Sequence, residues 1–131
     1  PHGLTAPGQY STARDIARIA YAAYRNPALR EMMALRGYTF RYADGRVRRL
    51  ESTNQLLGIS PFVNGMKTGY TVPSGRCLVT SARRAGRDVI IVQLGSNTKN
   101  IFADAARLVE WTFSGTALAS ADPAAAGTTY Y

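Results

Sequence analysis

"VNGMKTGYT", residues 63–71, is the stretch on which the reading of this chain turns. Read as a strand, it sends alternate side chains to opposite faces, so Lys67 and Gly69 share one face and Thr68 takes the other. Lysine is scarce here: Lys67 and Lys99 are the two in the chain, against fourteen arginines. A cation beside a hydroxyl makes a seat for a carboxylate or an anionic intermediate. A glycine within a strand lets another backbone come close. Together the three residues suit an edge strand along which an extended peptide lies, its carboxylate held by Lys67 and Thr68.

Working outward toward the C-terminus, "GRCLVTSARRAGRDVIIVQLGS" reads as a hairpin. Its first arm runs from Cys77 to Arg83, its turn lies around Ala85-Gly86, and its second arm runs from Asp88 to Leu94. The unbroken apolar run Val89-Ile90-Ile91-Val92 predicts a strand buried on both faces. "NIFADAARLVEWTFSG" then predicts an amphipathic helix. Asn97, Thr98 or Asn100 can cap it, Gly115 can stop it, and Ile101, Ala105, Leu108, Val109 and Thr112 line its inner face. Residues 116–131 are small and low in complexity and read as a linker or disordered tail.

On the other side, "STNQLLGISPF" is irregular, broken by Gly58 and Pro61. Before it, "YTFRYADGRVRRLES" predicts two short strands around a turn at Asp44-Gly45. "STARDIARIAYAAYRN" predicts a helix capped by Ser11 or Thr12, with Asp15 in its first turn and Ala13, Ile16, Ile19, Ala20 and Ala23 on its inner face. Asn26-Pro27 closes it and opens a second helix expected to run to Gly37. Residues 1–10 read as loop. The element order is two helices, a hairpin, a strand, a hairpin and a helix. That predicts an α+β domain over residues 1–115, an antiparallel sheet with covering helices.

Composition narrows the function classes. No window of 18 apolar residues is present, so no helix is expected to span a membrane. The formal net charge is +8, which draws polyanions in general. The basic residues are nevertheless scattered, and no zinc-finger, KH or RRM signature accompanies them, so a solvated arginine-rich face is expected and no nucleic acid partner. The single cysteine, Cys77, sits in an apolar run and reads as a buried, inert thiol. One cysteine and one histidine cannot build a Cys/His metal site, and no metal or other cofactor is expected. The chain opens on Pro-His-Gly-Leu without an initiator Met or a leader-like run, as a piece of something longer would.

The string of segments "PHGL", "GQYSTARDIARIA", "STNQLL", "VNGMKTGYT", "GRCLVTSARRAGRDVIIVQLGS" and a helix ending "EWTF" resembles the D-alanyl-D-alanine carboxypeptidases. These are low-molecular-mass penicillin-binding proteins of the serine peptidase type, and the resemblance runs in order to about Phe113. It implies part of a β-lactamase-like, penicillin-binding-protein transpeptidase fold. It also implies an active site of three motifs: Ser-x-x-Lys with the nucleophile, Ser-x-Asn on a loop, and Lys-Thr-Gly on the strand edging the cleft. Lys67, Thr68 and Gly69 match the third. By that match, Lys67 polarises the site and holds the carboxylate region of the substrate, Thr68 hydrogen-bonds that carboxylate and Gly69 leaves room for the peptide. Tyr70 would lend its main-chain N–H to the oxyanion hole.

The resemblance further implies that the nucleophilic serine and its lysine lie upstream of Pro-His-Gly-Leu, outside this sequence. Two literal matches compete for the first two motifs: Ser96 to Lys99 reads Ser-x-x-Lys, and Ser52 to Asn54 reads Ser-x-Asn. With eight serines in the chain such short matches arise easily. "STNQLL" is similar to the family segment before the third motif, and Ser96, Asn97 and Thr98 read more simply as helix-capping residues. His2 is the only histidine; the family uses lysine as its base, which leaves His2 structural. Asp44, Asp88, Glu31 and Glu51 have no neighbouring carboxylate in sequence and read as surface or turn residues.

The expectation is a serine-type D-Ala-D-Ala carboxypeptidase fragment on the periplasmic or cell-wall side, inactive alone. Its partners would be the peptidoglycan stem peptide, β-lactams and the missing N-terminal half of the domain. Exposed apolar surface is expected where that half would pack. A class A β-lactamase-like fragment shares the Lys-Thr-Gly motif but not the PHGL and GQYSTARD segments. A non-catalytic polyanion-binding module would use the +8 charge instead.

Overall fold

The structure, a computed structural model, describes residues 2–97 and 100–115. Helix α1 (Ala13–Arg25) starts where Thr12 can cap it: the Thr12 hydroxyl accepts from the Asp15 N–H at 3.1 Å and donates to the Asp15 carboxylate at 2.7 Å. Asn26 ends α1 and caps α2 (Pro27–Met33), its side-chain oxygen accepting from Leu29 N–H at 3.2 Å with Pro27 in the first turn. The second helix stops at Met33, short of the expected Gly37, because Gly37 is already the first residue of a strand.

That strand, β1 (Gly37–Arg41), pairs antiparallel with β2 (Val47–Glu51) as a separate hairpin, closed at Gly45 with φ +86°. Among the described residues the main sheet has three antiparallel strands in sequence order: β3 (Val63–Thr71), β4 (Gly75–Arg84) and β5 (Arg87–Ser96). Strands β4 and β5 join through Ala85 and Gly86, both at positive φ, the conformation a two-residue hairpin turn requires. Helix α3 (Ile101–Phe113) is the last element among the described residues, with Gly115 at φ +86° just past its end. Asn100 occupies the N-cap of α3 but makes no side-chain capping bond. Of the other predicted caps, Asn97 lies before it, and Thr98 is outside the described residues, as are Lys99 and the tail expected at 116–131.

The sheet is covered on both faces, and alternation along its strands divides two cores. On one face Leu78 and Ala82 of β4 pack with Ile101, Ala105 and Val109 of α3, joined by Val89 and Ile91 of β5. On the other, Val79 and Ile90 pack with Ala20 and Tyr24 of α1 and with Met66. The inner face of α1 is therefore turned from the expected one. Ile19 is 65% exposed and Ala13 is exposed, while Tyr24 is buried because its hydroxyl finds partners inside. On α3, Leu108 is 38% exposed, and Thr112 returns its hydroxyl to the Leu108 carbonyl. The apolar run Val89–Val92 does touch both cores but stays half-buried, since among the described residues no strand pairs with the outer edge of β5. Ile19, Tyr21, Met32, Leu35 and Trp111 leave apolar surface open to solvent.

Candidate active site

Strand β3 forms one edge of the sheet, and it carries all four predicted site residues. In the β3–β4 register Lys67 stands opposite Val79, Thr68 opposite Leu78, Gly69 opposite Cys77 and Tyr70 opposite Arg76. The pairing runs unbroken through all four residues, yet Met66, Lys67 and Thr68 line one cleft together, which strict alternation of faces does not predict. Lys67, Gly69 and Tyr70 are exposed, and Thr68 is half-buried. The Lys67 ammonium donates to the main-chain carbonyl of Thr68. Among the described residues Lys67 makes no ion pair with a carboxylate.

Lys67 and Thr68 open into a cleft of about 380 Å³. Its lining is partly apolar, from Met32 and Met33 at the end of α2 and from Leu35, Tyr38 and Leu50 around the β1–β2 hairpin, and includes the Glu51 carboxylate and the segment Ser52-Thr53-Asn54. A cation and a hydroxyl in the lining of a partly apolar groove can hold a ligand with an anionic terminus and an uncharged body.

Gly69 has open space around it. A Cβ built there would meet only Cys77 Cβ, at an ordinary 3.9 Å. Nothing in the packing of the described residues demands a glycine at that position, in contrast to Gly65, where a Cβ would fall 2.8 Å from the Ser81 hydroxyl. Cys77 is half-buried rather than enclosed, its thiol directed at the carbonyls of Ser74 and Gly75.

Two neighbours join the strand that its own sequence did not announce. The Thr53 hydroxyl meets the Thr68 hydroxyl at 2.5 Å. Asn54, 4% exposed, donates from its side-chain amide to the Gly65 carbonyl at 3.2 Å and accepts from the Leu56 N–H at 3.1 Å. The literal Ser52-Thr53-Asn54 thus lies beside Lys67-Thr68-Gly69, and the polar letters of "STNQLL" were the signal for it. Arg76 stacks over the Tyr70 ring at 5.4 Å, a contact fixed by pairing across strands that single-strand reading cannot see.

Of the remaining candidates Glu51 also lines this cleft, and the others stand apart from it. His2 is exposed, with Nδ1 accepting from the Leu4 N–H. Ser96 ends β5 and donates to the Asn97 carbonyl; Lys99, its partner in the literal Ser-x-x-Lys, is outside the described residues. Asp44 and Glu51 pair with Arg46 and Arg49 on the hairpin, and Asp88 receives the Tyr24 hydroxyl at 2.7 Å and faces Arg83 at 3.4 Å. Among the described residues no group of three or more His, Cys, Asp or Glu side chains is placed to hold a metal ion.

Residues 1–98 match the family described as D-alanyl-D-alanine carboxypeptidase. The chain is 36% identical over 114 residues to the D-alanyl-D-alanine carboxypeptidase DacC of Escherichia coli, covering 86% of this chain and 28% of that protein. It is 31% identical over 115 residues to DacF of Bacillus subtilis, covering 87% and 30%. Among solved structures, a Streptomyces DD-transpeptidase superposes with a TM-score of 0.79 at 30% identity, over 86% of this chain and 45% of that one. A D-alanyl-D-alanine carboxypeptidase of Mycobacterium tuberculosis superposes with a TM-score of 0.79 at 29% identity, over 98% and 48%. The α+β architecture is thus that of these structures over about 45% of their length. The chain spans less than a third of the length of these two curated relatives.

Proposed function

Because this chain belongs to the D-alanyl-D-alanine carboxypeptidase family, we propose that it is the C-terminal part of a serine-type catalytic domain, over residues 1–115, with 116–131 as a linker or tail. The whole enzyme removes the terminal D-alanine from peptidoglycan stem peptides on the periplasmic or cell-wall side, and β-lactams acylate it. The observation that carries this reading is the edge strand: Lys67 and Thr68 in the lining of a cleft, with Gly69 exposed beside them.

In the proposed chemistry, a serine from polypeptide outside this sequence attacks the carbonyl between the two D-alanines. The peptide bond breaks, D-alanine leaves with a proton on its nitrogen, and water later hydrolyses the acyl-enzyme. Lys67 supplies positive charge at the site where negative charge develops. Thr68 donates its hydroxyl proton to the substrate's terminal carboxylate. The Tyr70 N–H stabilises the oxyanion, a main-chain role that the side chain does not share. Gly69 lets the peptide backbone lie against the strand. Alone, the chain holds the carboxylate end of the site and no nucleophile, and is inactive.

Labelling with a fluorescent penicillin, read on a denaturing gel, tests the proposal. The chain alone should stay dark; mixed with the upstream part of its catalytic domain, label should appear on the upstream partner. Label on this chain alone would overturn the missing-nucleophile reading and send attention to Ser96.

A further inference from the structure

Thr53 touches the hydroxyl at the centre of the candidate site without belonging to the motif, meeting Thr68 at 2.5 Å, oxygen to oxygen. We infer that Thr53 is a positioning residue: it donates its proton to Thr68 Oγ1 and thereby commits Thr68 to donate its own proton to the ligand's carboxylate. This role presupposes the carboxylate seat proposed above.

The direction follows from counting protons. Each hydroxyl has one proton and two lone pairs, and an ionised carboxylate only accepts. With a carboxylate at Thr68, one order satisfies both contacts: Thr53 to Thr68 to carboxylate. In the reverse order Thr68 spends its proton on Thr53 and turns lone pairs toward an anion. Bonds in series also polarise one another, so Thr68 becomes a stronger donor when it accepts from Thr53.

The surroundings hold Thr53 where this relay needs it. Ser52 N–H donates to the Arg36 carbonyl at 2.8 Å, and the Ser52 hydroxyl accepts from Asn54 N–H at 3.2 Å. Asn54, buried, ties the segment to β3 through Gly65. The Thr53 side chain is itself exposed and adds nothing to either core. A packing role does not account for it; a hydroxyl contact does.

The test uses the chain assembled with the upstream part of its catalytic domain, and compares acylation rates by benzylpenicillin and by its methyl ester, which lacks the charged carboxylate. Thr53→Val should lower the acid-over-ester preference by about two- to tenfold, the worth of one neutral hydrogen bond. Thr53→Ser should restore it, and both variants should keep the wild-type thermal midpoint. An unchanged preference in Thr53→Val, with Thr68→Val losing it, overturns the relay and leaves the carboxylate seat standing. An unchanged preference in Thr68→Val overturns the seat and the relay with it. Equal loss toward acid and ester in Thr53→Val marks a merely structural residue and also overturns the relay.

Discussion

The side-chain amide of Asn54 donates to the main-chain carbonyl of Gly65 at 3.2 Å, two residues before the lysine of the candidate site. The same side chain accepts from Leu56 N–H, and it is almost wholly buried. One residue thus fastens an irregular loop to the edge strand and sets where Thr53 and Lys67 stand. Asn54→Ala leaves a buried carbonyl and a buried N–H without their partner, which costs about 1–3 kcal/mol. Urea unfolding of the assembled domain should show that loss, and acylation by penicillin should fall with it.

Lys67 makes the opposite case. It is exposed and its hydrogen bond goes to the carbonyl of the next residue. Lys67→Ala should leave stability within about 0.5 kcal/mol, while acylation of the assembled enzyme drops on the order of a hundred- to a thousandfold, as for loss of a preorganised charge at a reacting centre. Lys67→Arg should not restore the rate, because a planar guanidinium does not place its charge where an ammonium does. Stopped-flow acylation alongside thermal unfolding separates the two effects.

Gly69→Ala gives a sharper separation. The added methyl meets only Cys77 Cβ, at 3.9 Å, so stability should hold or rise by up to about 1 kcal/mol through the stiffer unfolded chain. A peptide lying on the strand would meet that methyl, and acylation should fall on the order of a hundredfold. A variant as active as wild type would show that no backbone approaches there.

Tyr24 links α1 to the sheet. It donates to Asp88 at 2.7 Å and accepts from the Asn64 side chain at 3.1 Å, and Asn64 in turn accepts from the Ser81 hydroxyl at 2.7 Å. Tyr24→Phe should cost about 1 kcal/mol. Burial first, then the bond to Asp88, raises the phenol's pKa above its ordinary value of 10.0. The folded state therefore favours the neutral phenol. That stabilisation is complete below pH 10 and is lost as pH rises through the higher folded value. Alkaline unfolding curves of wild type and Tyr24→Phe should converge above pH 10.

The architecture was legible because its signals are local. Turn chemistry at Asp44-Gly45 and Ala85-Gly86, and capping at Thr12 and Asn26, each act within a few residues, and each stands in the structure where the sequence puts it. The errors were of rotation and extent. Helical periodicity gives an apolar stripe but not the angle at which it meets a sheet, so Ile19 and Leu108 were placed inward and Tyr24 was missed. The second helix gave way to Gly37 because pairing of Gly37 with Glu51, a contact between distant residues, outweighs helix propensity near a helix end.

The sequence by itself determined the class of the fold, the family and the strand that carries Lys67, Thr68 and Gly69, since all three rest on the order of residues along the chain. Only the tertiary structure decided what surrounds that strand. Thr53 reaches Thr68 across fifteen positions of sequence, Asn54 reaches Gly65 across eleven, and Tyr24 reaches Asp88 across sixty-four. Contacts of that span are fixed by how the loop, helix and sheet pack, and side chains acquire partners there that no periodicity along one strand can assign.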